Sequence, residues 1–227
     1  MEGSLPHGRI QEDSVTDRRE FIRANTALIA PPHVPEIRLH LANEANELWH
    51  RTEEELQAVG VEPPFWAFAW AGGQGLARYI LDNPQIVAGK SVVDFATGSG
   101  LVAIAAMKAG AARVLASDID PFCEAAVALN AEANAVAVDF TASDLVGKML
   151  DCEVLLAGDV FYDRAFAERL VPWLRDMAGR GIEIIVGDPG RAYLPKTDLV
   201  ARATYQVPVT RVLEDAEVKK TTVWSFT

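Results

Sequence analysis

From about residue 91 onward, apolar positions fall into short β-branched runs separated by alanine- or leucine-rich stretches with helical spacing. This is the rhythm of alternating strands and helices, so the chain reads as an α/β fold with a mostly parallel sheet. Val92-Val93-Asp94-Phe95 is a strand closing on the turn Ala96-Thr97-Gly98-Ser99-Gly100, and a helix over 101–109 follows, stopped by Gly110. Arg113 to Asp118 reads as the second strand. Asp120 then predicts a helix cap, with Pro121 at the first helical position and the helix running to about Asn134. Val136 to Phe140 is a third strand, ending near Ser143-Asp144, and Glu153 to Ala157 a fourth, running into Gly158-Asp159. Residues 164–177 space Phe166, Leu170, Trp173 and Leu174 along one helical face, with a kink expected at Pro172. Gly181 to Val186 is a fifth strand, closed by Asp188-Pro189-Gly190. Thr204 to Val209 and Thr221 to Phe226 are strands with no long helix between them, which predicts an antiparallel finish.

The pattern before residue 90 is less regular. Residues 1–13 lack periodicity and are expected to be disordered. Ser14 is a candidate cap for a short helix over 15–25, and Pro31, Pro32 and Pro35 predict an extended segment. Ile37 to Leu41 alternates like a strand. Leu48, Trp49 and Leu56, opposite Glu53-Glu54-Glu55, then suggest a helix ending at Gly60. The stretch Pro63 to Gly75 sets four aromatics beside Gly72, Gly73 and Gly75. It reads as a buried loop or as one wall of a pocket, followed by a helix over 76–81 that Asp82-Asn83-Pro84 ends. The chain thus divides into 1–13, an N-terminal helical extension over 14–60, and a main domain over 61–227.

Charge narrows the function. Lys and Arg number 21 against 32 Asp and Glu, a formal net charge of −11 that repels a phosphate backbone and argues against nucleic acid as a partner. Such a surface suits a basic protein partner or a cationic side chain, beside simple solubility. Cys123 and Cys152 have no C-x-x-C spacing, and the histidines His7, His33, His40 and His50 lack metal-ligand or triad partners. No metal site is expected, and the thiols suit a reducing compartment. No apolar run approaches the roughly 20 residues of a membrane span. With acidic residues at Glu2, Glu12 and Asp13 and no apparent transit peptide, the expected location is cytoplasmic.

The candidate chemistry lies in acids at successive strand ends: Asp94, Asp118, Asp144 and Asp159. Parallel sheets bind ligands in the crevice at that edge. Asp118 follows Gly100 by 18 residues, near the roughly 20 expected of an acid that accepts from ribose hydroxyls. Gly98 to Ala103 also satisfies G-x-G-x-x-A, so a nicotinamide dinucleotide is an alternative. Asp94 weighs against it, because a carboxylate is unwelcome beside a pyrophosphate and welcome beside the ammonium of S-adenosylmethionine.

These residues resemble the class I S-adenosylmethionine-dependent methyltransferases. The resemblance implies a Rossmann-like seven-stranded, mostly parallel sheet with an antiparallel last strand and helices on both faces. Asp94, Ala96, Thr97, Gly98, Ser99 and Gly100 resemble the first cofactor motif, with Ala96 where the family usually has glycine. Asp118, followed by Ile119, resembles the ribose acid, and Asp144 with Leu145 the adenine position. Asp159-Val160-Phe161-Tyr162 matches the D-x-x-Y motif of a branch that methylates lysines in non-histone proteins. Pro64 to Gln74, Arg78 to Pro84 and Gly158 to Asp163 are similar to the electron transfer flavoprotein β-subunit lysine methyltransferases. That likeness implies S-adenosylmethionine as cofactor, the flavoprotein β-subunit as protein substrate, Trp70 packed on the cofactor, Gly158 beside it, and Asp159 and Tyr162 at the lysine. Ribosomal-protein methyltransferases, and a non-catalytic binding module that retains the cofactor site, remain as alternatives.

Overall fold

The computed structural model describes residues 18–43, 64–209 and 217–227. The disorder expected over 1–13, the cap at Ser14 and the helix ending at Gly60 lie outside the described residues. Residues 18–25 are helical. Strands β1 (Ala27–Ile29) and β2 (Leu39–Leu41) pair antiparallel. The proline segment between them is not extended. Val34 N donates to Pro31 O and Ile37 N to Val34 O, forming two successive turns. Proline's fixed φ suits the second position of a turn as well as extended chain, and the strand pairing on either side selects the turn.

The main domain is a seven-stranded sheet in the order β5-β4-β3-β6-β7-β9-β8. It comprises β3 (Ser91–Phe95), β4 (Arg113–Ser117), β5 (Asp139–Thr141), β6 (Val154–Gly158), β7 (Glu183–Asp188), β8 (Leu199–Pro208) and β9 (Val218–Phe226). Pairing is parallel from β5 through β7, and β9 runs antiparallel to both its neighbours. The expected architecture, including the single reversed strand, is the one observed. Helices α1 (Ala71–Asp82) and α2 (Leu101–Lys108) cover one face, and α4 (Arg164–Gly179) covers the other; α3 (Cys123–Ala133) follows β4.

Both faces are buried, and strand alternation sends neighbouring residues to opposite cores. Val92, Leu156 and Ile185 join Leu76, Ile80 and Ile104 on one side. Val93, Leu155 and Ile184 join Leu170, Trp173 and Leu174 on the other. Helix α4 stays helical through Pro172. Helix α3 starts later than expected, at Cys123. Asp120 Oδ1 accepts from Phe122 N and Asp118 Oδ1 from Asp120 N, so these acids form turns that lead into the helix.

The largest departure is α1, which begins at Ala71 and takes in Gly72, Gly73 and Gly75. Low helix propensity argued for a loop there. Packing reverses that preference, because α1 lies against the sheet at a distance only glycines allow. A Cβ at Gly72 would overlap Gly187 O, and one at Gly75 would come within 2.6 Å of Thr221 Cγ2.

The N-terminal segment is fastened to α3 by side-chain amides. Asn134 Oδ1 accepts from Arg38 N and its Nδ2 donates to Arg38 O. Asn130, fully buried, accepts from His40 N at 2.7 Å and donates to Ser99 O at 2.8 Å, linking β2 to the glycine turn. Asn130→Ala strands a buried and a part-buried backbone group, and the expected loss in urea denaturation is about 2 kcal/mol.

Candidate active site

In the sheet order, β3 lies between β4 and β6, so the chain reverses direction across the sheet beside β3. That switch point opens a crevice at the carboxyl ends of the strands. A cavity of about 670 Å³ occupies it, within the roughly 300–1,000 Å³ usual for small-molecule sites. Its lining includes Trp70, Asp94, Ala96, Thr97, Gly98, Ser99, Asp118, Ile119, Asp144, Leu145, Gly158, Asp159 and Tyr162. Of the residues singled out in the sequence, Gly100 alone stays behind the wall. It precedes α2 at φ +82°, and a Cβ there would meet Val127 Cγ2 at 3.2 Å.

The first turn is built around a buried acid. Asp94 Oδ2 accepts from Thr97 Oγ1 at 2.5 Å and from Ala103 N at 2.9 Å, which ties the turn to the first turn of α2. Burial pushes the Asp94 carboxyl up to about 7, against the lowering effect of those two hydrogen bonds and with a small further push from the charge of Asp118. Ala96 takes φ +54°, a left-handed conformation that glycine reaches more easily. Asp118 Oδ2 accepts from Gly98 N at 2.9 Å, which locks the turn to the end of β4. Each carboxylate oxygen has a further lone pair, so Asp118 still has acceptors to offer a ligand.

Asp144 is already engaged by its own surroundings. Arg169 of α4 donates to its Oδ2 at 2.9 Å and Val146 N to its Oδ1 at 2.9 Å. The Arg169 hydrogen bond, more than any other factor, holds the Asp144 carboxyl below the usual carboxylate range.

Asp159 also lines the cavity. It sits just past β6 at φ +57°, with Oδ2 accepting from Gly73 N at 2.9 Å. Its Oδ1 accepts from Arg191 Nη2 at 2.6 Å and from Arg191 Nε at 3.0 Å. The helix cap of α4 is Asp163, which accepts from Phe166 N at 2.8 Å. Tyr162 is 57% exposed, and its ring centroid lies 6.0 Å from that of Phe65, itself 5.9 Å from Trp70. An aromatic rim thus stands beside the carboxylate. Burial, more than the charges of Asp118 and Asp163, raises the Tyr162 phenol, so it remains a protonated donor.

Among the lining residues that the sequence reading of the site does not single out are Phe65 and Arg191. Phe65 belongs to the aromatic stretch that was read as a pocket wall but was not singled out within it. Arg191 follows the turn after β7, so the strand-end rule that selected the acids could have found it.

Fold and site together define a class I S-adenosylmethionine-dependent methyltransferase: acids at the ends of β3 and β4 suit an ammonium and ribose hydroxyls, and the turn between them brings bare backbone to the cavity. The same fold is seen in magnesium protoporphyrin IX methyltransferase from Synechocystis PCC 6803 with bound S-adenosylmethionine, at a TM-score of 0.53, 16% identity and full coverage of both chains. A family model described as ribosomal protein L11 methyltransferase (PrmA) matches residues 78–159. The electron transfer flavoprotein β-subunit lysine methyltransferase of Xenopus laevis is 40% identical over 95% of this chain and 89% of its own length. The human protein of that name is 34% identical over 92% of this chain and 81% of its own. The chain belongs to this family.

Proposed function

We propose that the protein methylates lysine side chains of the electron transfer flavoprotein β-subunit. The observation that carries the reading is one cavity lined both by the acids at the glycine turn and by Asp159, Tyr162 and an aromatic rim. The printed names of the relatives support the choice of substrate. Bound in the cavity, S-adenosylmethionine supplies a sulfonium methyl group that passes in line to a nitrogen lone pair as its carbon–sulfur bond breaks. On this reading Asp118 holds the ribose, Asp94 faces the ammonium and Trp70 forms a wall. Leu145 and Ile119 offer apolar surface to the adenine beside Asp144. Phe65 and Tyr162 flank the aliphatic stem of the lysine and limit water, and Asp159 orients its amine. The free thiols Cys123 and Cys152 agree with a cytoplasmic setting.

The test is incubation with labelled S-adenosylmethionine and the flavoprotein, with methyl groups mapped by mass spectrometry. Methyl-lysine on the β-subunit is expected. Its absence there, or its appearance only on ribosomal proteins supplied in a parallel arm, rejects the assignment.

Asp94 adds a pH dependence. A raised carboxyl pKa stabilises the cofactor-free fold below about pH 4, and that contribution is lost as pH rises towards 7. Binding an ammonium requires the ionised form and releases a proton. Affinity for S-adenosylhomocysteine is therefore expected to rise with pH up to about 7 and level off above it, approaching tenfold per unit on the acid side. Calorimetry across pH 5.5–8.5 (about three units) checks this. Asp94→Asn should flatten the profile.

A further inference from the structure

A lysine substrate sets the site an electrostatic problem. Free lysine titrates near 10.4, so only about 1 in 2,500 is neutral at pH 7, and only the neutral amine has a lone pair to offer. A bare carboxylate beside the amine favours the ammonium and makes the shortage worse. Asp159 is not bare. Arg191 donates to Asp159 Oδ1 through both Nη2 and Nε, and the paired side chains are only 20% and 10% exposed.

The guanidinium is itself fixed in place. Arg191 N donates to Asp188 Oδ1 at 2.7 Å, and Arg191 Cζ lies 5.7 Å from the centroid of the Trp70 ring. The Gly73 N–H holds the other carboxylate oxygen. Asp159 can thus offer directional acceptors while its charge is balanced from behind.

We infer that Arg191 is a positioning residue that balances the charge of Asp159, so that the carboxylate orients the lysine amine without stabilising the ammonium. This deepens the proposed function and rests on it. The ion pair carries no net charge of its own, so the positive sulfonium is left to push the amine towards deprotonation.

Other charged groups face the same space and are left unsubstituted in every variant. Asp188 lies at the end of β7, and Tyr162 and Asp163 lie in the loop before α4. Asp94 and Asp118 come from the ends of β3 and β4, and the Asp144–Arg169 pair joins the β5 side to α4. Burial, Thr97, Ala103 and Asp118 set the Asp94 carboxyl near 7 and Arg191 is not among these causes, so its limb is expected in every variant.

The experiment measures kcat against pH for Arg191→Met and Arg191→Lys, with the flavoprotein as substrate, and binding of the flavoprotein to enzyme loaded with S-adenosylhomocysteine. In Arg191→Met the alkaline-rising limb should move up by one to two pH units (about the effect of a nearby opposite charge), so kcat at pH 7 falls roughly 10- to 100-fold and recovers by about pH 10. Binding at pH 7 should hold or tighten, because an unbalanced Asp159 prefers the ammonium. Arg191→Lys keeps the charge and should keep the limb in place. In Asp159→Asn/Arg191→Met the limb should return to its wild-type position while the rate stays low.

A loss that is the same at every pH, or weaker flavoprotein binding, overturns the inference while leaving the proposed function standing. A wild-type enzyme that fails to methylate the flavoprotein overturns both. Thermal unfolding of Arg191→Lys near the wild-type midpoint, with its limb displaced like that of Arg191→Met, also overturns it, since charge would then not be the property that matters.

Discussion

Asp159→Asn is expected to lower turnover of the flavoprotein by 10²- to 10⁴-fold, the range for losing a positioned polar group at a reacting atom, with cofactor binding close to wild type. The variant is chosen to preserve the surroundings. Residue 159 sits at φ +57°, a conformation asparagine tolerates better than most residues. Its amide oxygen can still accept from Gly73 N, so the contact between α1 and the end of β6 survives. Lost are the negative charge and the acceptor shared with Arg191, which together give a lysine amine its direction. Calorimetry with S-adenosylhomocysteine isolates the first half of the forecast, because Asp94 and Asp118 keep their own partners in the variant. Steady-state rates with the flavoprotein test the second half. Wild-type turnover in Asp159→Asn would remove Asp159 from the mechanism.

The sequence shows the acids better than their company. Asp94, Asp118, Asp144 and Asp159 could be placed at one edge because strand periodicity counts residues locally, and a parallel sheet aligns its strand ends. The charged partners of Asp144 and Asp159 come from chain far away in sequence. Asp144 meets Arg169 on the next helix, beyond β6, and Asp159 meets an arginine beyond β7. Neither pairing has a local signal. The same divide explains the proline segment, where turn and extended chain share one φ and only pairing of β1 with β2 decides. The mostly parallel sheet and its antiparallel finish are legible because they follow from alternation and from the missing final helix, while the Rossmann-like architecture comes with the family resemblance. The start of α1 was not, since three glycines argue for a loop until their neighbours across the sheet are known.

Those glycines set up the second large effect, in which adjacent substitutions have opposite signs. A Cβ at Gly72 would overlap Gly187 O and stand 2.5 Å from Asp159 Oδ2, and the first of these neighbours is backbone in the centre of the sheet. That backbone oxygen cannot yield without moving α1 away from β6 and β7. Gly72→Ala should therefore cost about 3 kcal/mol in urea denaturation, at the upper end for overpacking, and should also lose turnover as Asp159 is displaced. A Cβ at Gly73 meets nothing nearer than Leu101 Cδ2 at 3.9 Å, and the residue keeps its N–H for Asp159. Gly73→Ala should accordingly stabilise the cofactor-free protein by about 0.5–1 kcal/mol, the ordinary gain of alanine over glycine inside a helix. The pair separates helix propensity from packing distance within one helical turn. If both substitutions destabilise equally, or Gly72→Ala is tolerated, then α1 does not need its close approach to the sheet, and the glycines of 71–75 lose their structural reason.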